Sequence, residues 1–332
     1  MRESSYRLAS FTTAHGSQAG AVRAGIVIDE RIVGLDAVLG GAAGSDSVAS
    51  ALAHWAQVGP QLGEAARAVR SGRAEFPCES LGRVRLLAPI ARPGVIFCAG
   101  ANYHDHVAAM TKALGLPPEP DPHAAGLKPW HFIKASASCV RGPGPIELPT
   151  YSTRVDWEAE IAIVIGRKCR NVSEAHALEY VAGLSIVNDL SARDHLRRSG
   201  VAVESPFRYD WVSQKCFEGA LPFGPWICPL EEIPDIGALG IRLWVNDVLM
   251  QDSSSAHMIF SAAEQIAHLS TRLTLHPGDV IATGTPAGVG AERGVFLKAG
   301  DSVRIEVETI GTLTNQFTIA GSPSAEGASP VA

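Results

Sequence analysis

The stretch VDWEAEIAIVIGR, residues 155–167, decides the fold interpretation. Its branched apolar residues and closing glycine are typical of a strand buried in a sheet. Glu158 and Glu160 stand one residue apart in this predicted strand. Because side chains alternate between the two faces of a strand, both carboxylates should point to the same face.

A third carboxylate closes the next predicted strand, since LSIVND (184–189) ends at Asp189. If the two strands are neighbours, Asp189 joins Glu158 and Glu160. Three oxygen ligands suit a hard cation such as Mg²⁺, Mn²⁺ or Ca²⁺. The alternative interpretation is a solvated strand face, because pairs of acidic residues are common on exposed strands.

The N-terminal region has a different pattern. Residues 5–37 alternate apolar and polar residues, which predicts short antiparallel strands, and residues 48–69 suit an amphipathic helix. Two prolines in residues 83–94 indicate a connection to a second unit. We therefore predict a small β-rich domain over residues 1–90, a catalytic domain over 91–320 and a disordered tail over 321–332.

The second unit contains more strands than helices. We predict strands within residues 94–102, 130–140, 184–189, 278–283 and 299–317, helices over 107–115 and 173–183, and a hairpin over 242–254 with its turn at Asn246-Asp247. The proline-rich residues 117–129 should form a loop, of the kind that often covers a binding site. The expected fold class is mixed α/β and strand-dominated.

Composition argues against several classes of protein. The 332 residues include 28 Lys and Arg against 34 Asp and Glu, and this net charge of −6 argues against a nucleic-acid partner. There is no apolar run of about 18 residues, so no membrane span is expected. The six cysteines are irregularly spaced and should be free thiols. We expect a soluble, cytoplasmic protein.

His106 lies in NYHDH, at the polar exit of a predicted buried strand, where an imidazole could act as a general base. The alternative is a surface histidine beside Asp105, and His104 is equally available by spacing.

Lysine and arginine side chains near the predicted carboxylates could bind an anionic substrate. Lys134 and Lys215 stand in apolar segments and could hold a substrate carboxylate or stabilise an enolate, or they could be surface charges with packed stems. Arg193 and Asp194 could form an internal ion pair or a substrate clamp.

TGTPAGVG, residues 283–290, lacks the spacing of a phosphate loop and of a dinucleotide site, so a nucleotide is not indicated. Its glycines would let the backbone and the Thr285 hydroxyl approach a small ligand. A plain tight turn is the alternative.

In combination these segments resemble the fumarylacetoacetate hydrolase family. The resemblance covers roughly residues 95–315 and is carried by CAGANYHDH, HFIKASAS, GPGPIELP, VDWEAEIAIVIGR, YVAGLSIVNDLSARD, KCFEGALPFGPW, VNDVLMQDSSSAHMIF and GDVIATGTPAGVG. It implies the mixed β-sandwich roll of that family, in a homodimer, behind a smaller N-terminal domain.

The resemblance also implies roles for individual residues. The metal ligands for Mg²⁺ or Mn²⁺, with Ca²⁺ as another occupant, would be Glu158, Glu160 and Asp189. The catalytic residues would be His106 on a mobile lid, Arg193 and Lys215. The substrate-binding residues would be Tyr103, Lys134, Gly284 and Thr285.

Two positions depart from the family pattern. Ala109 replaces a glutamate that forms a dyad with the lid histidine in many members, and Leu196 replaces a common glutamine. Glu119, Asp121 or His123 in the predicted loop could supply the missing group.

The expected function is metal-dependent hydrolysis of a C–C bond in a small 2,4-dioxo acid, such as an acylpyruvate, fumarylpyruvate or fumarylacetoacetate, in the catabolism of aromatic compounds or sugar acids. Isomerisation, hydration or decarboxylation of a 2-oxo or 2-hydroxy-dienoate acid by the same enolate chemistry is the alternative. A non-catalytic protein that binds small acids is a further one.

Overall fold

The fold is built mainly from strands, as the sequence predicts. The computed structural model describes residues 6–13 and 20–319, where nineteen strands form sheets of twelve, five and two strands. The mixed α/β, strand-dominated fold class is confirmed. The predicted disordered tail lies outside the described residues.

The strands of the first half are β1 (Arg7–Thr13), β2 (Arg23–Ile28), β3 (Arg31–Gly34), β4 (Cys78–Ser80), β5 (Val84–Leu86), β6 (Ile96–Ala99), β7 (His131–Lys134), β8 (Val140–Arg141) and β9 (Gly144–Leu148). The strands of the second half are β10 (Val155–Asp156), β11 (Ala159–Ile165), β12 (Val181–Asn188), β13 (Ser191–Ala192), β14 (Leu221–Pro229), β15 (Gly240–Val245), β16 (Val248–Ser254), β17 (Val280–Ala282), β18 (Ser302–Val307) and β19 (Gly311–Ile319).

The α-helices are α1 (Leu35–Leu39), α2 (Val48–Ala53), α3 (Trp55–Arg70), α4 (His104–Ala113), α5 (Ser136–Cys139), α6 (Trp211–Lys215) and α7 (Ala262–Arg272). Short 3₁₀ helices occupy Leu81–Arg83, Glu174–Tyr180, Arg193–His195, Leu230–Glu232, Ser255–His257 and Gly290–Glu292. Among the described residues no helix is long and apolar enough to cross a membrane.

The twelve-stranded sheet connects the N-terminal strands to the rest of the chain. Its main path runs β4-β3-β2-β1-β14-β12-β11-β17-β6-β7, so β1 pairs directly with β14. Every residue of β11 and β12 is buried, which explains why their sequences are continuous apolar runs rather than alternating ones. The division into domains at residue 90 stays a prediction.

The five-stranded sheet has the order β16-β15-β18-β19-β9. The predicted hairpin is confirmed as β15 and β16, joined by Asn246 at φ 48° and Asp247 at φ 64°. Positive φ at both central residues is what a tight hairpin turn of this hand requires. The predicted pair of strands near the C-terminus is confirmed as β18 and β19, and the six cysteines are free thiols, as predicted.

Four local predictions need correction. The helix predicted over residues 173–183 is a 3₁₀ helix over Glu174–Tyr180, and residues 181–183 belong to β12. The single helix predicted over residues 48–69 is broken at His54 into α2 and α3. The predicted strand over residues 155–167 is two strands, because Trp157 and Glu158 lie between β10 and β11. The predicted turn at NYHDH is the first turn of α4, which begins at His104, three residues earlier than expected.

Strand pairing brings four chain segments to one edge of the large sheet. β17 runs parallel to β6 and antiparallel to β11, while β11 pairs antiparallel with β12 in the register Ala159↔Asn188. The start of β11, the end of β12, the glycine-rich turn after β17 and the residues after β6 therefore meet. The candidate site lies at this edge.

Candidate active site

Glu158, Glu160 and Asp189 meet at the sheet edge, as the sequence predicts. Carboxylate oxygens of all three lie within 4.8 Å of one another. The three residues are only 6%, 1% and 1% exposed, so the alternative of a solvated strand face is wrong. Neighbouring backbone fixes them, because the Asp189 N–H donates to the Glu158 carbonyl over 2.9 Å and the Glu158 N–H donates to Oδ1 of Asn188 over 2.9 Å.

Lys215 and Arg193 neutralise part of this negative charge. The Lys215 ammonium donates to Oε2 of Glu158 over 2.8 Å and to Oδ2 of Asp189 over 2.6 Å. The Arg193 guanidinium donates through Nε to Oδ2 of Asp156 over 2.8 Å and through its other arm to Oε1 of Glu158. Arg193 thus pairs with Asp156 and Glu158, whereas Asp194 accepts hydrogen bonds from Ser152 and Thr153, so the predicted Arg193–Asp194 pair does not form.

Lys134 contacts the same cluster from a position outside the cavity. Its ammonium lies 2.7 Å from Oδ1 of Asp189 and donates to the carbonyls of Leu190 and Ala220 over 2.9 and 2.6 Å. The side chain of Lys134 is fully excluded from solvent. This position suits a residue that fixes Asp189 better than one that touches a substrate.

The carboxylates differ in how far neighbouring positive charges offset their own negative charge. Burial favours protonation of Glu158, but Lys215 and Arg193 outweigh it and hold the pKa of Glu158 below its ordinary value. Burial, Asp189 and Glu158 together raise the pKa of Glu160 well above its ordinary value. No ion pair within the described part of the chain includes Glu160, which accepts its 2.7 Å hydrogen bond from the Gly284 backbone. Glu160 is therefore the carboxylate of this cluster that no lysine or arginine of the described residues pairs with.

The carboxylates Asp189 and Glu158 also affect the lysine beside them. Burial alone would lower the pKa of Lys215, yet Asp189 and Glu158 raise it above its ordinary value. The two carboxylates therefore favour the ammonium form of Lys215, which donates a hydrogen bond to each of them.

The glycine-rich turn after β17 shapes one wall of the site. Gly284 has φ +96°, and a Cβ there would lie 2.8 Å from the Asn102 side chain, so the sequence needs glycine at this position. The Thr285 hydroxyl donates to the Ala159 carbonyl over 3.0 Å and accepts from Nε2 of Gln251 over 2.9 Å. These bonds hold the turn against the start of β11.

A cavity of about 160 Å³ opens beside the carboxylates. Its polar lining consists of His106, Glu158, Glu160, Arg193, Gln214, Lys215 and Thr285, and its apolar lining of Ala99, Gly100, Ala101, Trp130, Phe132, Leu196 and Trp211. The predicted residues Tyr103 and Lys134 are buried outside this lining, and Gly284 contributes its backbone to Glu160. The aromatic wall was not predicted from sequence.

His106 is the histidine that faces the carboxylates. His104, on the same helix, lines a separate cavity with Val107 and Ala108, which resolves the choice that spacing left open. Nδ1 of His106 lies 3.1 Å from Oε1 of Glu292, in the 3₁₀ helix Gly290–Glu292. The suggested partners Glu119, Asp121 and His123 do not form this contact, and His123 pairs instead with Glu264 over 2.8 Å.

The donor set fits a divalent cation. Three clustered carboxylates, without histidine or cysteine, match the oxygen ligands that Mg²⁺ and Mn²⁺ prefer. Glu160 is buried and is repelled by Asp189 and Glu158, so a cation bound beside it would supply the missing positive charge. The residues present therefore fit the ion that the family resemblance implies.

Comparison with known proteins identifies the family. Residues 95–318 match the model of the fumarylacetoacetate (FAA) hydrolase C-terminal domain. The chain is 40% identical to an oxaloacetate tautomerase of Xenopus laevis over 239 residues, which are 71% of this chain and 69% of the relative. It belongs to the fumarylacetoacetate hydrolase family, as the sequence motifs indicated.

Two solved structures extend the comparison to most of the chain. The fumarylacetoacetate hydrolase of Exiguobacterium antarcticum aligns with a TM-score of 0.72 and 29% identity, covering 95% of this chain and 99% of its own. The maleylpyruvate hydrolase of Sphingobium sp. SYK-6, solved with manganese(II) and pyruvate, aligns with a TM-score of 0.69 and 26% identity, covering 94% and 99%. These relatives support a catalytic role and a divalent metal site.

Proposed function

We propose that this chain is a divalent-cation-dependent enzyme that interconverts the oxo and enol forms of a small 2-oxo acid, with oxaloacetate as the first substrate to test. The observation that carries the proposal is the cluster of Glu158, Glu160 and Asp189, whose two glutamates line a cavity that also presents His106. The tautomerase relative supports this choice of reaction.

The bound cation would be Mg²⁺ or Mn²⁺, held by the three carboxylates. It would act as a Lewis acid that polarises the 2-oxo group. The remaining work falls to the chain itself. Lys215 stays protonated and its third N–H is available to a carboxylate or carbonyl oxygen of the substrate. Arg193 holds Glu158 in place through its second arm while it pairs with Asp156.

His106 is the group that can move a proton in this cavity. Nε2 of His106 takes a proton from the carbon next to the oxo group, the electron pair of that C–H bond forms the C–C double bond of the enol, and the π electrons of the oxo group move to its oxygen. The same proton then returns to the substrate oxygen, so that no net proton is gained or lost. Trp130, Phe132 and Trp211 pack against one another and form the apolar side of the cavity.

Hydrolysis of a C–C bond in a 2,4-dioxo acid is the second candidate. The maleylpyruvate hydrolase aligned above supports it. The same residues would serve, with His106 activating water instead of removing a substrate proton. The products separate the two reactions, because hydrolysis yields two carbon fragments and tautomerisation yields an isomer of unchanged mass.

The test is turnover of a panel of oxaloacetate, acylpyruvates and 2-hydroxy-dienoates by chelator-treated protein, with and without added Mg²⁺ or Mn²⁺, followed by mass spectrometry and NMR. We expect metal-dependent conversion of at least one acid and its loss in Glu160→Gln. Glu218→Gln, at a surface pair with Arg141, is the matched control and should keep full activity. Metal-dependent binding of oxalate without any conversion would instead indicate a protein that only binds small acids.

The homodimer, which the family resemblance implies, and the cytoplasmic location, which the sequence composition suggests, are proposals. Light scattering of the purified full chain tests the first, and fractionation of the native cell tests the second.

A further inference from the structure

A second cavity, of about 410 Å³, adjoins the cavity beside the carboxylates. Four residues line both cavities, namely Gly100, Ala101, His106 and Trp130. We call this second cavity the annex, and its apolar lining includes Val107, Met110, Leu114, Leu116, Leu127 and Phe260. Because the two cavities share the residues at their junction, a ligand bound at the carboxylates can extend past His106 into the annex.

One wall of the annex is an apolar stripe along the helix that carries His106. Val107, Met110 and Leu114, the last of which caps α4, follow one another at intervals of three and four residues and so share one helix face. The structure describes every residue of α4 and none of them is buried, while Leu114 is 55% exposed. This apolar face is therefore not used to pack the core, which is typical of a binding groove.

The chain that follows α4 forms another side of the annex. It contributes Leu116 and Leu127, which are 54% and 57% exposed. This segment is fixed to the rest of the chain, because the His123 ring lies 4.8 Å from the Phe260 ring, centroid to centroid, and Nε2 of His123 lies 2.8 Å from Oε1 of Glu264. The annex is thus a formed groove whose apolar side chains a ligand would cover.

Trp130 stands at the junction of the two cavities. A Cβ at Gly100 would overlap the Trp130 ring, so the indole can take this position only against a glycine. The Gly100 N–H donates to the Trp130 carbonyl over 3.1 Å, and the Trp130 and Trp211 ring centroids lie 5.8 Å apart. The indole is therefore held where a ligand that occupies both cavities must pass it.

The charges of the annex favour an uncharged occupant. Apart from His106 at the junction, the charged residues among those described in its lining are Glu119 and Lys128, one of each sign. The cavity beside the carboxylates, by contrast, has Arg193 and Lys215 in its lining. An acid with a second carboxylate at its far end would place that charge among apolar side chains, where its desolvation is costly.

We propose that the annex binds the apolar tail of the substrate, so that this chain acts on 2-oxo or 2,4-dioxo acids with an alkyl or aryl substituent. The acid head lies at Glu158 and Glu160, the reacting carbon at His106, and the substituent beyond Trp130. This inference rests on the proposed function and names the substrate class of the same site. Hexanoylpyruvate should be converted with a kcat/KM at least about tenfold above that of acetylpyruvate.

Binding of unreactive analogues tests the annex without turnover. Oxamate offers a carboxylate and a carbonyl to the metal, N-hexyl oxamate adds an apolar tail, and N-(5-carboxypentyl) oxamate adds a tail of equal length that ends in a carboxylate. A fully buried methylene is worth about fourfold in affinity. Calorimetry on the Mn²⁺-loaded full chain should therefore give a Kd for N-hexyl oxamate at least about tenfold below those of the other two. No gain from the hexyl tail, or tighter binding of the acid-ended tail, would overturn the inference.

Two variants locate the tail, and the measured quantity is the Kd of oxamate divided by the Kd of N-hexyl oxamate. Leu127→Asn makes one exposed side of the annex polar and Thr111→Trp fills part of its volume, so each should lower this ratio by at least about threefold. Leu249→Asn, at a 44% exposed leucine on β16 outside both cavities, is the matched control and should keep the wild-type ratio. A ratio that stays unchanged in both annex variants would show that the tail binds elsewhere.

The annex and the proposed function fail in different ways. If N-hexyl oxamate binds at least tenfold tighter than oxamate but no acid is converted, the proposed function fails and the annex stands. If acids are converted and the hexyl tail adds no affinity, the annex assignment alone fails. If neither oxamate nor N-hexyl oxamate binds to the Mn²⁺-loaded protein, both fail.

Discussion

The ammonium group of Lys134 lies 2.7 Å from Oδ1 of Asp189, and both side chains are excluded from solvent. Lys215 contacts the other oxygen of the same carboxylate over 2.6 Å. Asp189 is therefore held between two lysines on opposite oxygens. Its position beside Glu158 and Glu160 depends on both of them.

Lys134→Met should destabilise the fold strongly. The change keeps the apolar stem but leaves one oxygen of a buried carboxylate without its cation, and removing one partner of such a pair costs about 3–5 kcal/mol. Urea unfolding of metal-free protein measures the loss. Lys168→Met, at an exposed lysine, is the control, and a loss below about 1 kcal/mol in Lys134→Met would contradict this role.

Glu160→Gln should change stability in opposite directions with and without metal. Because burial, Asp189 and Glu158 raise the pKa of Glu160, its ionised form destabilises the metal-free protein at neutral pH, and the variant should unfold at a higher urea concentration in chelator. In Mn²⁺ at 100 times its Kd, the wild type should gain about 2.7 kcal/mol and the variant far less. Equal metal-induced gains in both proteins would show that Glu160 is not a ligand.

Arg193→Lys should impair the site although it preserves the charge. The guanidinium of Arg193 pairs with Asp156 and Glu158 at once. The single ammonium of a lysine has no forked arrangement of N–H groups and cannot replace both contacts. We expect kcat/KM to fall by about 10- to 100-fold. Arg198→Lys, at an exposed pair with Asp210, provides the comparison, and equal activity of the two variants would exclude this role for Arg193.

Much of the fold was readable from sequence because apolar patterns report burial directly. The continuous apolar runs of β11 and β12 and the Asn246-Asp247 turn were predicted correctly. The break at residues 157 and 158 was missed. Just before the break, Asp156 at the end of β10 accepts a hydrogen bond from the turn at Gly290, a contact 134 positions away that no local pattern encodes.

The candidate site, like the fold, could be predicted from the sequence only in part. The family motifs and the predicted strands indicated the three carboxylates, and the structure brings them together although Glu158 itself lies between β10 and β11. The partner of His106 could not be found in this way, because Glu292 belongs to a turn that sequence alone describes only as glycine-rich. The missing glutamate at position 109 was the one signal that a carboxylate from elsewhere was needed.

Acid should destabilise the protein through His131, which precedes the cavity residue Phe132. Burial lowers the pKa of His131 to about 4, with the Gln265 side chain, as an acceptor for the ring N–H, opposing the shift and His268 adding to it. The unfolded chain, with an ordinary value near 6.5, binds more protons between these two values. Stability is therefore complete above pH 6.5 and is lost as the pH falls toward 4, by up to roughly 3 kcal/mol.

His131→Gln should flatten this pH dependence. Urea unfolding at pH 7 and at pH 4.5 measures the effect, with His276→Gln at an exposed position as the control. The same acid-induced loss in His131→Gln as in the wild type would show that other groups cause it.

The most direct test of the central claim is the initial rate of oxaloacetate oxo–enol conversion as a function of free Mn²⁺, for chelator-treated wild type and for Glu160→Gln, each corrected for the rate with Mn²⁺ alone. The account predicts a rate that rises to saturation with Mn²⁺ in the wild type and stays at least about 100-fold lower in the variant. A wild-type rate that is independent of Mn²⁺, or an equal rate in Glu160→Gln, would contradict the assignment of the buried carboxylates as the metal centre of an enzyme that acts on this acid.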